Sequence, residues 1–167
     1  MKRRASHSES DRLDRMAGAA LSVRQRRGTA LVEGTIVLGV FLVIILATCD
    51  FGLAVLRRNA LAEAARRVTR AAIVHGDNAG PQLSEWGPNT YTNTAADNSE
   101  IAAAARPVLV TLSPANVSIN TSWPDGGNKT GQRITAVVTY QHVPMLPFLF
   151  GSSPLQLRGE STMRIEH

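Results

Sequence analysis

The chain has 167 residues, 44% of them hydrophobic, 19% charged and 5% aromatic, and its formal net charge is +5. That length holds one modest domain with an appendage and excludes a multidomain enzyme. Residues 1–28 carry eight basic and three acidic groups and therefore all of the net charge. The remaining residues balance at ten of each, so charge alone excludes reading the body as a nucleic-acid-binding module. A single cysteine, Cys49, excludes an internal disulfide and any thiolate-cluster metal site.

Residues 1–25, with Ser, Arg and Asp interleaved, have the composition of disordered chain. They lead into Gly34–Cys49 (GTIVLGVFLVIILATC), a run without a charge; beyond Asp50 the apolar character resumes as FGLAVL and ends at Arg57 and Arg58. A helix that crosses a bilayer needs about 20 mostly apolar residues, which this stretch supplies if one late acid is tolerated. The run is apolar all round and rich in β-branched residues, unlike a one-sided core helix. The larger basic excess lies before it, so the leader is expected to stay in the cytoplasm and the rest to be translocated.

Three processing readings are open here. The first is an ordinary secretory signal, with a long apolar region and no clean A-x-A site. The second is a lipoprotein signal at Leu46-Ala47-Thr48-Cys49, against which stands the ordinary reading of Cys49 as inert packing. The third starts from Glu33, since a carboxylate at the mouth of an apolar helix is costly and calls for a partner. Arg26, Arg27 and Gly28, then Thr29-Ala30-Leu31-Val32-Glu33 and the apolar run, resemble the type IV prepilin (class III) signal. That resemblance implies cleavage after Gly28 by a membrane peptidase and retention of the helix. The new α-amino group on Thr29 would then have Glu33, of the same or a neighbouring subunit, as counter-charge.

Asn59–Val74 (NALAEAARRVTRAAIV) is rich in strong helix formers and extends the helix. Leu61, Ala65, Val68 and Ala72 form a narrow apolar face, and Gly76 is a natural stop. Residues 76–98 are turn-rich and read as a loop, in which Trp86 and Tyr91 are expected to pack. Ser99 caps a second helix from Glu100 to about Val110 that Pro107 must kink or end. Three strands follow: 116–121, 133–143 after an Asp125-Gly126-Gly127 turn, and the cleanly alternating run 155–165. Between the last two, Pro144–Gly151 (PMLPFLFG) either packs under the sheet or forms a contact surface. The predicted fold is α+β: a long N-terminal helix, membrane-spanning in its first half, and a small head with a second helix and a three-stranded antiparallel sheet.

In combination these features resemble the TadE-like minor pseudopilins of the tight-adherence (Flp) pilus system. The match rests on Gly28, Glu33 and the apolar helix; on the late acidic-aromatic-Gly step Asp50-Phe51-Gly52; on the Ala-rich extension; and on the Tyr140 strand, the 143–151 segment and the closing Ser161-Thr162-Met163-Arg164. The resemblance implies a pilin-like chain divided into a leader (1–28), a transmembrane helix (29–56), its extension (57–75), a loop (76–98) and an extracytoplasmic head (99–167). It implies a bacterial inner-membrane protein with a cytoplasmic N-terminus, cut between Gly28 and Thr29, with Glu33 guiding assembly. Its implied partners are a prepilin peptidase, other pilins, assembly-platform proteins and inner-membrane lipid, without nucleic acid. No catalytic residue, metal or cofactor carries over. The residues themselves also speak against an enzyme: His7, His75, His142 and His167 are scattered, and no HExxH, Walker A or GxSxG motif occurs. The competing reading is a membrane-anchored extracytoplasmic binding module with an uncleaved signal anchor.

Overall fold

The structure is a computed structural model that describes residues 29–147, 151 and 153–166. The expectation of a disordered leader falls outside these residues, as do the cleavage residue Gly28 and the apolar Phe148–Phe150. Two compact units divide the chain, Met1–Leu46 and Ala47–His167.

The first unit is helical throughout its described part. Helix α1 has the bounds Arg3–Ala72 and enters the description at Thr29. From Leu31 to Leu46 every large apolar side chain is exposed except Val43, which is half-buried. The hydroxyl of Thr35 donates to the carbonyl of Leu31 at 2.8 Å, so that this polar group is satisfied inside its own helix. The stretch Thr29–Ala72 contains a window long and apolar enough to cross a membrane.

The second unit holds the remainder of α1, the strands β1 (Tyr91–Thr94), β2 (Val117–Ser122), β3 (Arg133–His142) and β4 (Leu155–Arg164), and the short helix α2 (Glu100–Ala105). The strands form one antiparallel sheet in the order β1-β2-β3-β4. Ile119, Val138 and Gly159 lie side by side across β2, β3 and β4, and Val117, Tyr140 and Leu157 form the next row. Alternation puts these rows on one face with the buried Ile134 and Ala136. Against that face α1 lays the stripe Leu61, Ala64, Ala65, Val68 and Ala72, all buried, while Arg66, Arg67 and Arg70 stay exposed.

Small side chains set the distance of this contact. A Cβ on Gly159 would lie 2.3 Å from the carbonyl carbon of Leu61, so helix backbone and strand backbone touch there. Two residues on, Ser161 shares a 3.0 Å hydrogen bond with Thr69, which is fully buried in the helix.

The sheet has four strands where the sequence predicts three. The additional strand, β1, lies within the segment read as a loop. YTNT lacks apolar alternation, and its pairing with β2, from Tyr91↔Thr121 to Thr94↔Ser118, makes it a strand. The second helix is also shorter than expected. Ser99 caps it as predicted, accepting from the Ala102 amide at 3.2 Å, but it ends at Ala105 and Pro107 sits in a 3₁₀ turn, Arg106–Val108. Trp86 and Tyr91 do pack. Trp86 is buried and donates to Glu100 at 3.0 Å, and the Tyr91 hydroxyl donates to Asp97 at 2.6 Å. Of the 144–151 segment, Pro144 and Leu146 are buried, whereas Met145 and Pro147 are exposed.

Candidate functional site

At the start of the described helix, Thr29 and Glu33 are both exposed. Glu33 borders a shallow, mostly apolar hollow with Ala30, Gly34, Val37, Leu38 and Phe41. Nothing lies within 4 Å of where a Gly34 Cβ would stand, so the backbone beside the carboxylate is open to an approaching chain. An exposed carboxylate on an otherwise apolar surface can accept a cation from outside the chain, because leaving it bare in lipid is costly.

The three residues Asp50, Phe51 and Gly52, a single motif in the sequence, have separate surroundings. Phe51 is 69% exposed and Gly52 meets open space. Asp50 is buried, which requires something to receive its carboxylate. Its Oδ2 accepts the backbone N–H of Met145 at 3.2 Å. His142, buried at the end of β3, brings Nε2 to 3.2 Å from Oδ1. On the other side of that ring, Arg57 Nη1 lies 2.6 Å from Nδ1. A guanidinium has only donors, so Nδ1 must accept and the ring proton belongs on Nε2, facing the carboxylate. The guanidinium also lies over the Tyr140 ring, 5.6 Å from its centroid.

The resulting chain, Arg57 to His142 to Asp50, ties two positions on α1, seven residues apart, to the end of β3 and the segment after it. It remains incompletely satisfied. Among the described residues, Asp50 Oδ1 and Arg57 Nε have no aligned hydrogen-bond partner, because the His142–Asp50 contact is close but off-axis. A cavity of about 360 Å³ opens beside this cluster, lined among the described residues by Asp50, Phe51, Ala54, His142, Pro144, Ser153, Pro154 and Leu155.

Of the residues singled out from sequence, Gly28 lies outside the described residues, and the structure places Asp50 in a buried cluster. It adds His142 and Arg57, which the sequence reading assigned to a strand position and a basic flank. One signal for them was present: a lone acid late in an apolar helix needs a partner, and His142 stands immediately before the apolar 143–151 segment. Cys49 is exposed and lies outside the cluster. Among the described residues no group of three or more His, Cys, Asp or Glu side chains is placed to hold a metal ion.

Residues 28–70 match the family model described as TadE-like protein. The matched stretch contains Gly28, Glu33, Asp50, Phe51, Gly52 and Arg57 and covers the buried helical stripe from Leu61 to Val68, stopping short of Ala72. The sheet and His142 lie beyond it. No curated protein and no solved structure matches the chain.

Proposed function

We propose that the chain is a minor pseudopilin, or assembly component, of a Flp-type tight-adherence pilus, processed after Gly28 by a prepilin peptidase. The observation that carries this reading is the TadE-like match over residues 28–70, which begins at the glycine before the proposed scissile bond and covers the exposed apolar helix bearing Glu33. In this reading the protein is an assembly subunit of the bacterial inner membrane and not an enzyme. The basic leader holds the N-terminus in the cytoplasm until it is removed, and the head stands outside.

Lipid contact in this reading occupies Ala30–Cys49. Twenty helical residues at 1.5 Å each span about 30 Å, the thickness of a hydrocarbon core. Asp50 then lies at the outer boundary, where its ties to His142 and Met145 begin the head. Glu33 lies near the inner boundary and receives the new ammonium group on Thr29 or a cation of a neighbouring pilin, which favours one axial register between packed helices.

The intact mass of protein extracted from membranes of a peptidase-competent host tests the reading. Loss of residues 1–28 is the expected result, and a full-length mature chain would favour the uncleaved signal-anchor module instead. Glu33→Ala should leave membrane insertion intact and lower recovery with co-purifying pilins. Unchanged recovery would remove the role assigned to Glu33.

A further inference from the structure

The sheet has two edges, and the chain manages them differently. The β1 edge is only four residues long, a short edge of the kind that resists further pairing. At the other edge, β4 pairs with β3 in unbroken register from Leu155 to Arg164, without proline or bulge. In an antiparallel ladder alternate residues direct their N–H and C=O groups to opposite sides, so half of β4 offers its backbone away from β3. Among the described residues no strand pairs with that side. A long, regular, open edge is a template for one more strand.

The space beside Leu155–Glu160 is also shaped and charged. One flank of α1, with Arg58, Asn59, Ala62 and Arg66, forms a groove of about 660 Å³ with this half of β4. Within it Glu160 is already neutralised by Arg158 at 2.7 Å. Arg58 has no carboxylate partner among the described residues, and Arg66 reaches only Glu63, at 3.8 Å, an acid it shares with Arg67. Two uncompensated guanidinium groups therefore stand beside an unpaired strand edge. A second copy's β4 matches poorly, since it brings Arg158 and Arg164 against Glu160 alone. Arg58 and Arg66 are eight residues apart, about 12 Å along the helix axis. Side chains four residues apart on an extended segment share a face and are about 13 Å apart.

We propose that the β4 edge is a docking site for an extended acidic segment of another protein, which adds a strand to the sheet and places carboxylates at i and i+4 against Arg58 and Arg66. Backbone pairing holds the segment, and the two guanidinium groups select it by charge. The site lies wholly within the second unit and depends neither on cleavage after Gly28 nor on the pilin reading.

The detergent-extracted full chain is mixed with the soluble peptide Thr-Glu-Thr-Val-Thr-Glu-Thr, whose glutamates are spaced i, i+4, at up to millimolar concentration. Backbone hydrogen exchange read by mass spectrometry locates the contact, and fluorescence anisotropy of the labelled peptide measures affinity. The expected result is slowed exchange over 155–160 and not over β1, saturating with peptide. Replacing both glutamates by glutamine should weaken binding about fivefold, the scale of two exposed ion pairs. Arg58→Gln together with Arg66→Gln should remove that difference between the peptides; both side chains are exposed, so the fold is kept. An added edge strand uses only one of its own edges. N-methylation of alternate peptide residues should therefore abolish binding in one phase and spare it in the other.

No protection of 155–160 at the highest peptide concentration overturns the site. Equal affinity of the glutamate and glutamine peptides overturns the acidic partner. Equal loss or equal survival of binding in the two N-methylated phases overturns strand addition. Protection of β4 that rises with protein concentration in the absence of peptide makes a second copy the occupant and likewise overturns the assignment.

Discussion

Between Leu31 and Leu46, α1 carries Leu, Ile, Val and Phe around its circumference, and nearly all of them are exposed. Between Leu61 and Ala72 the same helix carries one stripe of mostly alanine, and all of that stripe is buried. The difference lies less in hydrophobicity than in the shape of the surface each stretch is built to meet. A fluid hydrocarbon accepts bulky side chains in any direction, so breadth is what it rewards. A sheet is a fixed surface, and a helix approaches it closely only where side chains are small, as at Ala64, Ala65 and the Gly159 contact. The head stretch consequently tolerates little volume change, whereas the Leu31–Leu46 stretch, if it meets lipid as proposed, tolerates volume change but not charge.

Gly159→Val breaks the second half of that comparison most severely. The added Cβ would stand 2.3 Å from helix backbone at Leu61 and 2.4 Å from the amide nitrogen of Ala62, neither of which can rotate aside. Separation of α1 from β4 is the only relief, and the expected destabilisation of the head is about 4 kcal/mol or more. Thermal unfolding followed by near-ultraviolet circular dichroism, which senses Trp86 and Trp123, measures it. A head that melts within a few degrees of the unsubstituted protein would show that the helix does not rest on this strand. The substitution should leave flotation with vesicles unchanged.

Leu38→Arg probes the first half and should have the reverse signature. Leu38 is 63% exposed and lies in the middle of the apolar stretch. A guanidinium at the centre of a spanning helix costs about 3 kcal/mol on insertion scales. The expected outcome is a marked fall in the carbonate-resistant membrane fraction with an unaltered head unfolding transition. Full retention of the variant in the membrane would argue that this stretch never reaches the bilayer centre.

The periodicities that are strong in one dimension were readable in the sequence. The apolar run, the Leu61–Ala72 stripe, the Ser99 cap and the alternation of β3 and β4 each follow from local spacing, and each is present. What was not readable depended on a partner distant in the chain. β1 is a strand because Val117–Ser122 pairs with it, and YTNT offers nothing local to say so. The same holds for the cluster at the base of the head. Asp50 could be recognised as an anomaly within an apolar helix, but its receiver, His142, is ninety-two residues later, and the Arg57 that fixes the ring's tautomer looked like one of several flanking cations. Sequence spacing identifies a residue that must be satisfied; only the fold identifies what satisfies it.

Acid provides the mildest probe of the same contrast, because the head has a carboxylate whose ionised form the fold favours. Asp125, in the turn between β2 and β3, accepts from the Arg133 guanidinium at 2.6 Å and from its backbone N–H at 2.8 Å. These bonds, the side-chain one foremost, lower its pKa from the ordinary 3.8 to about 2. The sign follows from linkage: the folded state holds the ionised form more strongly than the unfolded chain does, so the contribution is complete above about 4 and is lost as the pH falls through about 2. Asp97 and Glu100, lowered by bonds from Tyr91 and Ser84 respectively, act in the same sense. The Tm of the head should therefore decline as pH falls from about 4 towards 2, and Asp125→Asn should make that decline shallower without abolishing it, since the other two carboxylates remain. The pair is solvent-exposed, so the effect should weaken further in high salt. An equally steep decline in Asp125→Asn would mean that the turn contributes nothing to the acid response and that the remaining carboxylates carry all of it.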